Sequence, residues 1–211
     1  MTPALKGLLV IGAYLLGSVP FGLVLTRLLT GKDVRTVGSG NIGASNVARA
    51  AGKKLGVLTL VLDAAKAALP MLLTRALLRP EGQLVMETWM VAVGLAAFFG
   101  HLYPIWLGFK GGKGVATALG VFAVLSPISA LLAFVVFGVA YGATRVAAVG
   151  SLSGTTVCAT GAVVQAAREH GGVGAAFRGP MAWAAVAVAV VIFLRHRSNI
   201  ERLLRGAEHK V

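Results

Sequence analysis

The chain has 211 residues, a length typical of one domain. Lys and Arg number 20 against 7 Asp and Glu, giving a formal charge of +13, and 57% of the residues are apolar against 13% charged. Soluble domains carry about 25% charged residues, so this chain lacks the polar residues to cover a water-facing surface. The apolar content excludes disorder, and one cysteine, Cys158, excludes a disulfide scaffold. We therefore predict a single polytopic membrane domain over residues 1–211.

The basic charge is typical of two kinds of protein, nucleic-acid-binding proteins and membrane proteins. Basic residues between apolar spans are what membrane insertion requires on the cytoplasmic side, so we predict a membrane partner and no nucleic acid. The first apolar run begins by residue 4 and has no small-residue cleavage site before Arg27. It is therefore interpreted as a retained span, not a removed signal peptide.

Apolar runs predict transmembrane helices in seven places, since a helical span needs about 20 apolar residues. The predicted spans are residues 4–29, 55–78, 84–107, 114–126, 128–144, 147–167 and 180–195. The stretch 114–144 is ambiguous, because it could form one long helix or two helices broken before Pro127, which cannot donate to a helix.

The distribution of cations decides between six and seven spans. With seven, the cytoplasmic side receives Arg27, Lys32, Arg35, Arg49, Lys53, Lys54, Lys110, Lys113, Arg145, Arg195, Arg197, Arg202, Arg205 and Lys210. The outer side then receives only Lys6, Arg75, Arg79, Arg168 and Arg178. With six spans the cations divide almost evenly, contrary to the positive-inside rule. We therefore predict an all-α membrane protein with seven transmembrane helices, the N-terminus outside and the C-terminus cytoplasmic.

The first patterned segment on the predicted cytoplasmic face, residues 37–49, has the composition of a phosphate-binding loop. Its glycines let backbone N–H groups turn toward a ligand, its Ser and Asn side chains are neutral donors, and its arginine suits phosphate oxygens. Residues 44–51 predict a short helix whose N-terminus would also favour an anion. An ordinary turn-rich loop is the alternative. The candidate residues are Gly38, Ser39, Gly40, Asn41, Gly43, Asn46 and Arg49.

The second segment, residues 109–117, places Gly-Gly-Lys-Gly before a predicted helix, which chemically makes a phosphate cradle. It is not a Walker A loop, because Leu107 stands where that loop needs a glycine and Gly114 where it needs Ser or Thr. Nucleotide hydrolysis is therefore unsupported, and positive-inside lysines on a tight turn are the alternative. The candidate residues are Lys110, Gly111, Gly112, Lys113, Gly114 and Thr117.

The third segment, residues 195–203, places His196 and Asn199 on one face of a predicted helix. A solvated basic tail is the alternative. Glu201 follows His196 in a spacing similar to the His-x-x-x-x-Asp signature of thioester-using acyltransferases, but a five-residue offset suits a helix poorly. We treat that match as a coincidence.

Three further polar residues lie in or near the predicted spans. Asp63 and Lys66 can neutralise each other at i, i+3, with structural pairing as the first interpretation and substrate contact as the second. For His101 the first interpretation is a packing residue and the second is a catalytic base. The histidines and acids lack the spacing of metal ligands, so we predict neither a metal site nor a cofactor.

Together these segments resemble a known family, the bacterial acyl-phosphate-dependent glycerol-3-phosphate acyltransferases. The resemblance rests on three motifs in the same order and runs from the first span to the C-terminal tail. These motifs are Gly-Ser-Gly-Asn-Ile-Gly-Ala-Ser-Asn-Val-Ala-Arg (38–49), Phe-Lys-Gly-Gly-Lys-Gly-Val-Ala-Thr (109–117) and Arg-His-Arg-Ser-Asn-Ile-Glu-Arg-Leu (195–203). The segments Gly-Ser-Val-Pro-Phe-Gly (17–22) and Gly-His-Leu-Tyr-Pro (100–104) fit the family as well.

The resemblance implies a seven-span enzyme of the bacterial inner membrane. It would transfer a fatty acyl group from acyl phosphate to the 1-hydroxyl of glycerol 3-phosphate, giving lysophosphatidate for phospholipid synthesis. A soluble acyltransferase that forms acyl phosphate is an implied partner. Carried over motif by motif, the functional residues are Ser39 and Arg49 from the first, Gly111 to Gly114 with Lys113 from the second, and His196 and Asn199 from the third, with Glu201 structural.

The chain departs from the family pattern in two places. After the fifth span many members have Thr-Arg-Tyr-x-Ser, whereas this chain has Thr-Arg-Val-Ala-Ala at 144–148. Arg145 is retained there as a candidate substrate-binding residue, and Ser151 is a candidate replacement for the serine. In the second span members often have Lys-Gly, against Lys66 and Ala67 here.

A transporter for an organic phosphate is the alternative function. Its site would lie near the bilayer midplane, reachable from both faces. The three segments here all fall on one predicted face, which favours an enzyme with its active site on the cytoplasmic face.

Overall fold

The computed structural model describes residues 1–208, which form helices joined by short loops and contain no β-strand. His209, Lys210 and Val211 lie outside the described residues, and with them one of the predicted cytoplasmic cations. The α-helices within residues 1–208 are α1 Pro3–Gly17, α2 Phe21–Thr30, α3 Ala44–Ala51, α4 Lys53–Leu78, α5 Gln83–Leu102, α6 Val115–Leu125, α7 Pro127–Thr144, α8 Ala147–His170, α9 Pro180–Arg195 and α10 Arg197–Leu204. Single turns of 3₁₀ helix cover Val34–Thr36, Arg79–Glu81 and Ile105–Leu107, and a longer one covers Val173–Arg178. The predicted all-helical fold is confirmed.

Between four and six segments of the described chain are long and apolar enough to cross a membrane. Four are single helices with their extensions, namely Lys53–Glu81, Gln83–Leu107, Pro127–Thr144 and Ala147–His170. Two are bent pairs, Pro3–Gly17 with Phe21–Thr30 at 40° and Pro180–Arg195 with Arg197–Leu204 at 57°. The apolar helix α6 is shorter. The seventh span and the orientation of the termini stay predictions.

The predicted first span, residues 4–29, is broken between α1 and α2. The break contains Pro20, which has no N–H to donate and disfavours helical backbone at the residue before it. Ser18 lies at the same point, and its hydroxyl donates to the Tyr14 carbonyl oxygen at 2.9 Å. Two shorter helices therefore replace the single straight one.

The ambiguous stretch 114–144 forms two helices, and the break lies where Pro127 predicts it. α6 ends at Leu125 and α7 begins with Pro127 in its first turn, where a missing N–H costs nothing. The 11 residues of α6 rise about 16 Å.

Small residues bring the helix backbones into close contact. A Cβ atom added at Gly17 of α1 would lie 2.2 Å from the Ala97 carbonyl oxygen of α5, and one at Gly120 of α6 would lie 2.0 Å from that of Ala64 in α4. Such contacts are typical of helix packing in membranes, where dispersion replaces the hydrophobic effect between helices. α4 and α5 thus form the centre of the bundle, with α1 and α6 packed directly on them.

Candidate active site

One cavity of about 860 Å³ joins the three patterned segments to the interior of the bundle. Its mouth lies at the end of the bundle formed by residues 34–54, 108–114 and 195–208, which we call the motif end. The polar side chains that line it are Ser39, Asn41, Ser45, Arg49, Lys53, Asp63, His101, Lys113, Tyr141, Arg145, Ser151, Thr155, His196, Asn199 and Glu208. The sequence expectation that the three segments make one site therefore agrees with where the structure places them.

The rest of the cavity is an apolar groove between α6, α7, α8 and α9. The large apolar side chains along it include Leu119, Phe122, Phe134, Phe137, Val188 and Ile192. The groove reaches Cys158, eleven residues into α8 from Ala147 at the motif end. At 1.5 Å per residue that depth is about 16 Å, roughly half the hydrocarbon thickness of a bilayer.

The loop of residues 37–43 is shaped by the side chain of Asn46 on α3. Asn46 is 1% exposed, and its Nδ2 donates to the carbonyl oxygens of Val34, Val37 and Asn41 at 2.8, 3.0 and 2.8 Å. Its Oδ1 accepts from the Ser39 N–H at 3.1 Å. The amide is therefore fully used, so Asn46 holds the loop and does not line the cavity.

The other residues of the first segment either turn the chain or line the cavity. Gly38 and Gly40 have φ of +55° and +66°, backbone values that side chains rarely adopt. Both glycines turn the chain and neither lines the cavity. Ser39, Asn41, Gly43 and Arg49 do line it. The predicted short helix over 44–51 is confirmed as α3.

The glycine loop of the second segment differs from a simple phosphate cradle. The N–H groups of Gly111 and Gly112 donate to the carbonyl oxygens of Leu102 and His101, each at 3.1 Å. They are therefore paired already and cannot act as the free donors that the sequence predicts. What the loop presents to the cavity is the Lys113 side chain and Gly114, the residue that precedes α6.

Arg195 also contacts the backbone of this loop. Its guanidinium donates to the Gly111 carbonyl oxygen at 3.0 Å and to that of Gly112 at 2.9 Å, and it lies 5.6 Å from the centre of the Tyr103 ring. Because His196 follows it directly, Arg195 ties the third segment to the second.

His196 and Asn199 are buried at 2% and 3% exposure, and both line the cavity. The Nδ1 atom of His196 is 2.8 Å from the Ile192 carbonyl oxygen. Since a carbonyl oxygen can only accept, Nδ1 carries the proton and Nε2 is left as an acceptor. Asn199 accepts from Lys113 Nζ at 2.5 Å, so these two side chains join the second and third segments.

The charges at the mouth are mostly positive and partly buried. Burial lowers the pKa of the Lys113 ammonium to about 8 and also lowers the pKa of Arg49, although Glu208 opposes both shifts. The Nε atom of Arg49 is buried without a hydrogen-bond partner among residues 1–208. Buried donors without partners are costly, so this arrangement suits an anionic ligand.

Glu208 is the acidic group at the mouth. Its carboxylate accepts from Asn199 Nδ2 at 2.9 Å and from Arg202 Nε at 2.9 Å. Glu201, the acid that the resemblance makes structural, is exposed instead. Glu208, which the sequence analysis did not select, is therefore the acid that contacts Asn199 and Arg202.

Asp63, Lys66 and His101 form a buried cluster below the mouth. Lys66 Nζ lies 2.8 Å from Asp63 Oδ1 and 2.8 Å from His101 Nδ1. The predicted pairing of Asp63 with Lys66 is therefore present, and Asp63 and His101 also line the cavity.

The remaining candidates lie in three different settings. Lys110 is exposed on the loop and does not line the cavity. Thr117 is buried in α6, and its hydroxyl has no partner among residues 1–208. Arg145 lines the cavity from a left-handed position at the end of α7, with φ of 59°, and Ser151 lines it from α8.

Sequence reasoning missed Arg195, Glu208 and the aromatic side chains of the groove as parts of the site. Arg195 carried a signal, because it adjoins His196 in the third motif. Glu208 and Phe134 carried none, because an acid in a basic tail and an apolar residue in a span are both ordinary.

Comparison with known proteins assigns the family. The family model for glycerol-3-phosphate acyltransferase matches residues 7–206. The chain belongs to the glycerol-3-phosphate acyltransferase family. A relative named glycerol-3-phosphate acyltransferase from Anaeromyxobacter sp. (strain K) is 58% identical over 212 residues and covers 100% of both chains. Another from Myxococcus xanthus (strain DK1622) is 50% identical and covers 96% of this chain and 97% of its own.

Solved structures agree with that assignment. The crystal structure of PlsY (YgiH), an integral membrane glycerol 3-phosphate acyltransferase, in its glycerol 3-phosphate form has a TM-score of 0.82 and 40% identity, covering 98% of this chain and 95% of that one. Its lysophosphatidic acid form has a TM-score of 0.81 and 38% identity, covering 97% and 94%. The resemblance drawn from the three motifs is thereby confirmed, and the acyltransferase is a membrane protein.

Proposed function

We propose that this acyltransferase moves a fatty acyl group from acyl phosphate to the 1-hydroxyl of sn-glycerol 3-phosphate, giving 1-acyl-glycerol 3-phosphate (lysophosphatidate) and inorganic phosphate. The observation that supports this most is the continuity of one cavity from a cation-lined mouth to an apolar groove. Both substrates carry a phosphate group, and one of them carries a long apolar chain. A cavity with these two ends matches that pair.

The cations of the mouth would hold the phosphate groups. Arg49, Lys53, Lys113 and Arg145 all line the cavity, and a forked guanidinium suits phosphate oxygens better than an ammonium does. Arg49 has a buried, unpartnered Nε among the described residues, so it is the first candidate for a phosphate contact. Ser39 and Asn41 add neutral donors on the same side.

The acyl chain would lie in the apolar groove between α6, α7, α8 and α9. Its carbonyl carbon would then be near the mouth, where the groove meets Lys113, His196 and Asn199. Burial of the chain away from water supplies favourable free energy at about 0.8 kcal/mol per methylene. Proximity to the second substrate could lower the barrier by ~7–11 kcal/mol.

The reaction itself needs no covalent enzyme intermediate, because acyl phosphate is a mixed anhydride with a good leaving group. The 1-hydroxyl oxygen forms a bond to the acyl carbon, the bond from that carbon to the phosphate oxygen breaks, and phosphate leaves with the electron pair. The hydroxyl proton goes to a phosphate oxygen or to His196 Nε2, which the Ile192 contact leaves as an acceptor. Lys113 and Arg49 would neutralise the charge of the leaving phosphate.

In the membrane we propose seven spans, with α6 as the short one, the N-terminus outside and the C-terminus cytoplasmic. A helix of 11 residues can take that place because it packs inside the bundle, where Gly120 contacts the α4 backbone. The motif end then faces the cytoplasm, and the membrane is the bacterial inner membrane. All 211 residues act as one domain. A soluble acyltransferase that forms acyl phosphate would supply the donor.

The test is an acyl-transfer assay on the purified protein with labelled glycerol 3-phosphate. Long-chain acyl phosphate, acyl-CoA and acyl carrier protein are offered separately, and a mock preparation without the protein serves as the control for contaminating activity. We expect labelled lysophosphatidate from acyl phosphate alone. Turnover only with a thioester would overturn the proposed donor. No product from folded protein with any donor would favour the transporter instead.

A further inference from the structure

The buried cluster of Asp63, Lys66 and His101 contains more groups than charge neutrality requires. All three are 2–3% exposed. The Lys66 ammonium has three donors, and three acceptors surround it: Asp63 Oδ1 at 2.8 Å, His101 Nδ1 at 2.8 Å and the Val19 carbonyl oxygen at 3.2 Å. A charge within a membrane span is costly unless it is paired or has a function. Asp63 alone would pair it.

The contact with Lys66 determines the state and orientation of the His101 ring. An ammonium can only donate, so His101 Nδ1 accepts and the ring proton lies on Nε2. Asp63 Oδ1 is 3.6 Å from Nδ1, beyond hydrogen-bond distance. The ring is therefore neutral, and it is held at one edge with its Nε2 edge pointing away from Lys66.

That free edge of the His101 ring lies against the glycine loop. A Cβ atom built on Gly112 would lie 2.0 Å from His101 Nε2, so the backbone of Gly112 rests on the ring without space for a methyl group. The Gly112 N–H also donates to the His101 carbonyl oxygen at 3.1 Å. His101 thus contacts the loop through both its ring and its backbone.

The residue after Gly112 is Lys113, the cation that the loop presents to the cavity. Arg195 also holds the loop, by donating to the carbonyl oxygens of Gly111 and Gly112. The backbone of the loop is therefore held by both Arg195 and His101, immediately before Lys113 in the chain.

We infer that His101 is a positioning residue, held by Lys66 and Asp63, which sets the location of the Lys113 ammonium by supporting Gly112. This inference rests on the proposed function for its effect on turnover but not for its geometry. His101 needs no contact with the reacting atoms and transfers no proton. Its removal leaves the site chemically intact while displacing Lys113.

A measurement independent of activity tests the position of Lys113. The pH dependence of Lys113 reductive methylation, followed by mass spectrometry of the protein in detergent, reports the titration of its ammonium. The charged and titratable groups that face it are Arg49, Arg195, Arg202, Glu208 and His196. None of them changes in the variants, so a shift reports the position of Lys113.

In the wild type we expect a midpoint near pH 8, where burial places the pKa of Lys113. His101→Leu, which fills the space but cannot bond to Lys66, should raise the midpoint by one pH unit or more, because a displaced ammonium gains water. His101→Gln, which retains an acceptor for Lys66, should recover part of the shift. The matched control is His170→Leu, since His170 lies at the far end of α8 and bonds to the Ala166 carbonyl oxygen.

Kinetics provide the second readout. His101→Leu should raise KM for a phosphorylated substrate about tenfold with a smaller change in kcat, since Lys113 binds phosphate in both ground and transition states. If His101→Leu fails to fold, the neutral pair Asp63→Asn with Lys66→Met removes the same support without leaving an unpaired charge. A folded variant with an unchanged Lys113 midpoint and an unchanged KM would overturn the inference. Failure of the proposed function would appear separately, as a wild type without turnover.

Discussion

The two glycine-rich loops of the site have similar compositions but are held in different ways. The loop of residues 37–43 is organised by Asn46, a residue a few positions along the chain, whose single amide bonds four backbone groups. The loop of residues 108–114 is organised by His101 and by Arg195, which lies far along the chain. The first loop therefore forms locally, whereas the second depends on the assembled bundle.

The cations of the site and the residues that hold the loops have different roles. Arg49 on α3, next to the first loop, and Lys113 in the second loop line the cavity and would contact phosphate directly, whereas Asn46, His101 and Arg195 act by holding backbone. Replacing a cation should therefore abolish turnover while the protein still folds. Replacing a residue that holds backbone should have different effects in the two loops.

The largest effect is expected from removal of either cation. Arg49→Ala or Lys113→Ala should reduce kcat/KM by at least about 100-fold, the usual loss when one group that stabilises transition-state charge is removed. Turnover of purified, folded variants measures this. Lys110→Ala is the matched control, because Lys110 is exposed on the same loop as Lys113 and does not line the cavity. Near-normal turnover in Arg49→Ala or Lys113→Ala would remove that residue from the site.

The loop of residues 37–43 should lose its structure when Asn46 is replaced. Asn46→Asp keeps the size of the side chain but loses the donor to three carbonyl oxygens, so both turnover and stability should fall. The free energy of unfolding should drop by about 1–3 kcal/mol, the usual cost of buried groups left unpaired. Thermal unfolding in detergent beside the acyl-transfer assay measures both. Full stability together with full turnover would show that the loop does not depend on Asn46.

The loop of residues 108–114 should be weakened, but not lost, when Arg195 is replaced. Arg195→Lys keeps the charge but loses the fork that reaches two carbonyl oxygens, so KM should rise about tenfold, equivalent to about 1.4 kcal/mol. Steady-state kinetics measure the change, and Arg197→Lys, two residues further on and exposed, is the control. Equal kinetics in the two variants would contradict a role for Arg195 in holding the loop.

The smallest effect near neutral pH is a pH dependence that belongs to the second loop alone. Burial lowers the pKa of Lys113 to about 8, so its ammonium keeps its charge below that pH and loses it above. KM for a phosphorylated substrate should therefore rise by up to tenfold per pH unit above about 8, because binding then requires uptake of a proton. Kinetics between pH 7 and 10 measure this, and Lys113→Arg should flatten the rise, since a guanidinium stays charged. A wild-type KM that stays constant to pH 10 would contradict the role of Lys113.

The same contrast explains how much could be predicted from sequence. Hydrophobic runs and Pro127 predict most helices, and the short helix at 44–51 follows from local composition, because these features depend on neighbouring residues. The break at Pro20 was missed, since the apolar run continues through it. The contact of Arg195 with Gly111 joins residues more than 80 positions apart, and no local pattern indicates it. For the same reason the sequence predicts free N–H groups in the glycine loop, whereas the fold has already paired them.

The central claim is that both substrates occupy one cavity and that the acyl group passes directly between them. The most direct measurement incubates the purified protein with acyl phosphate labelled in the acyl group, without glycerol 3-phosphate, and then quenches it in denaturant. We predict no acyl label attached to the denatured protein, and labelled lysophosphatidate once glycerol 3-phosphate is added. A stoichiometric acyl label on the protein that transfers to added glycerol 3-phosphate would contradict direct transfer.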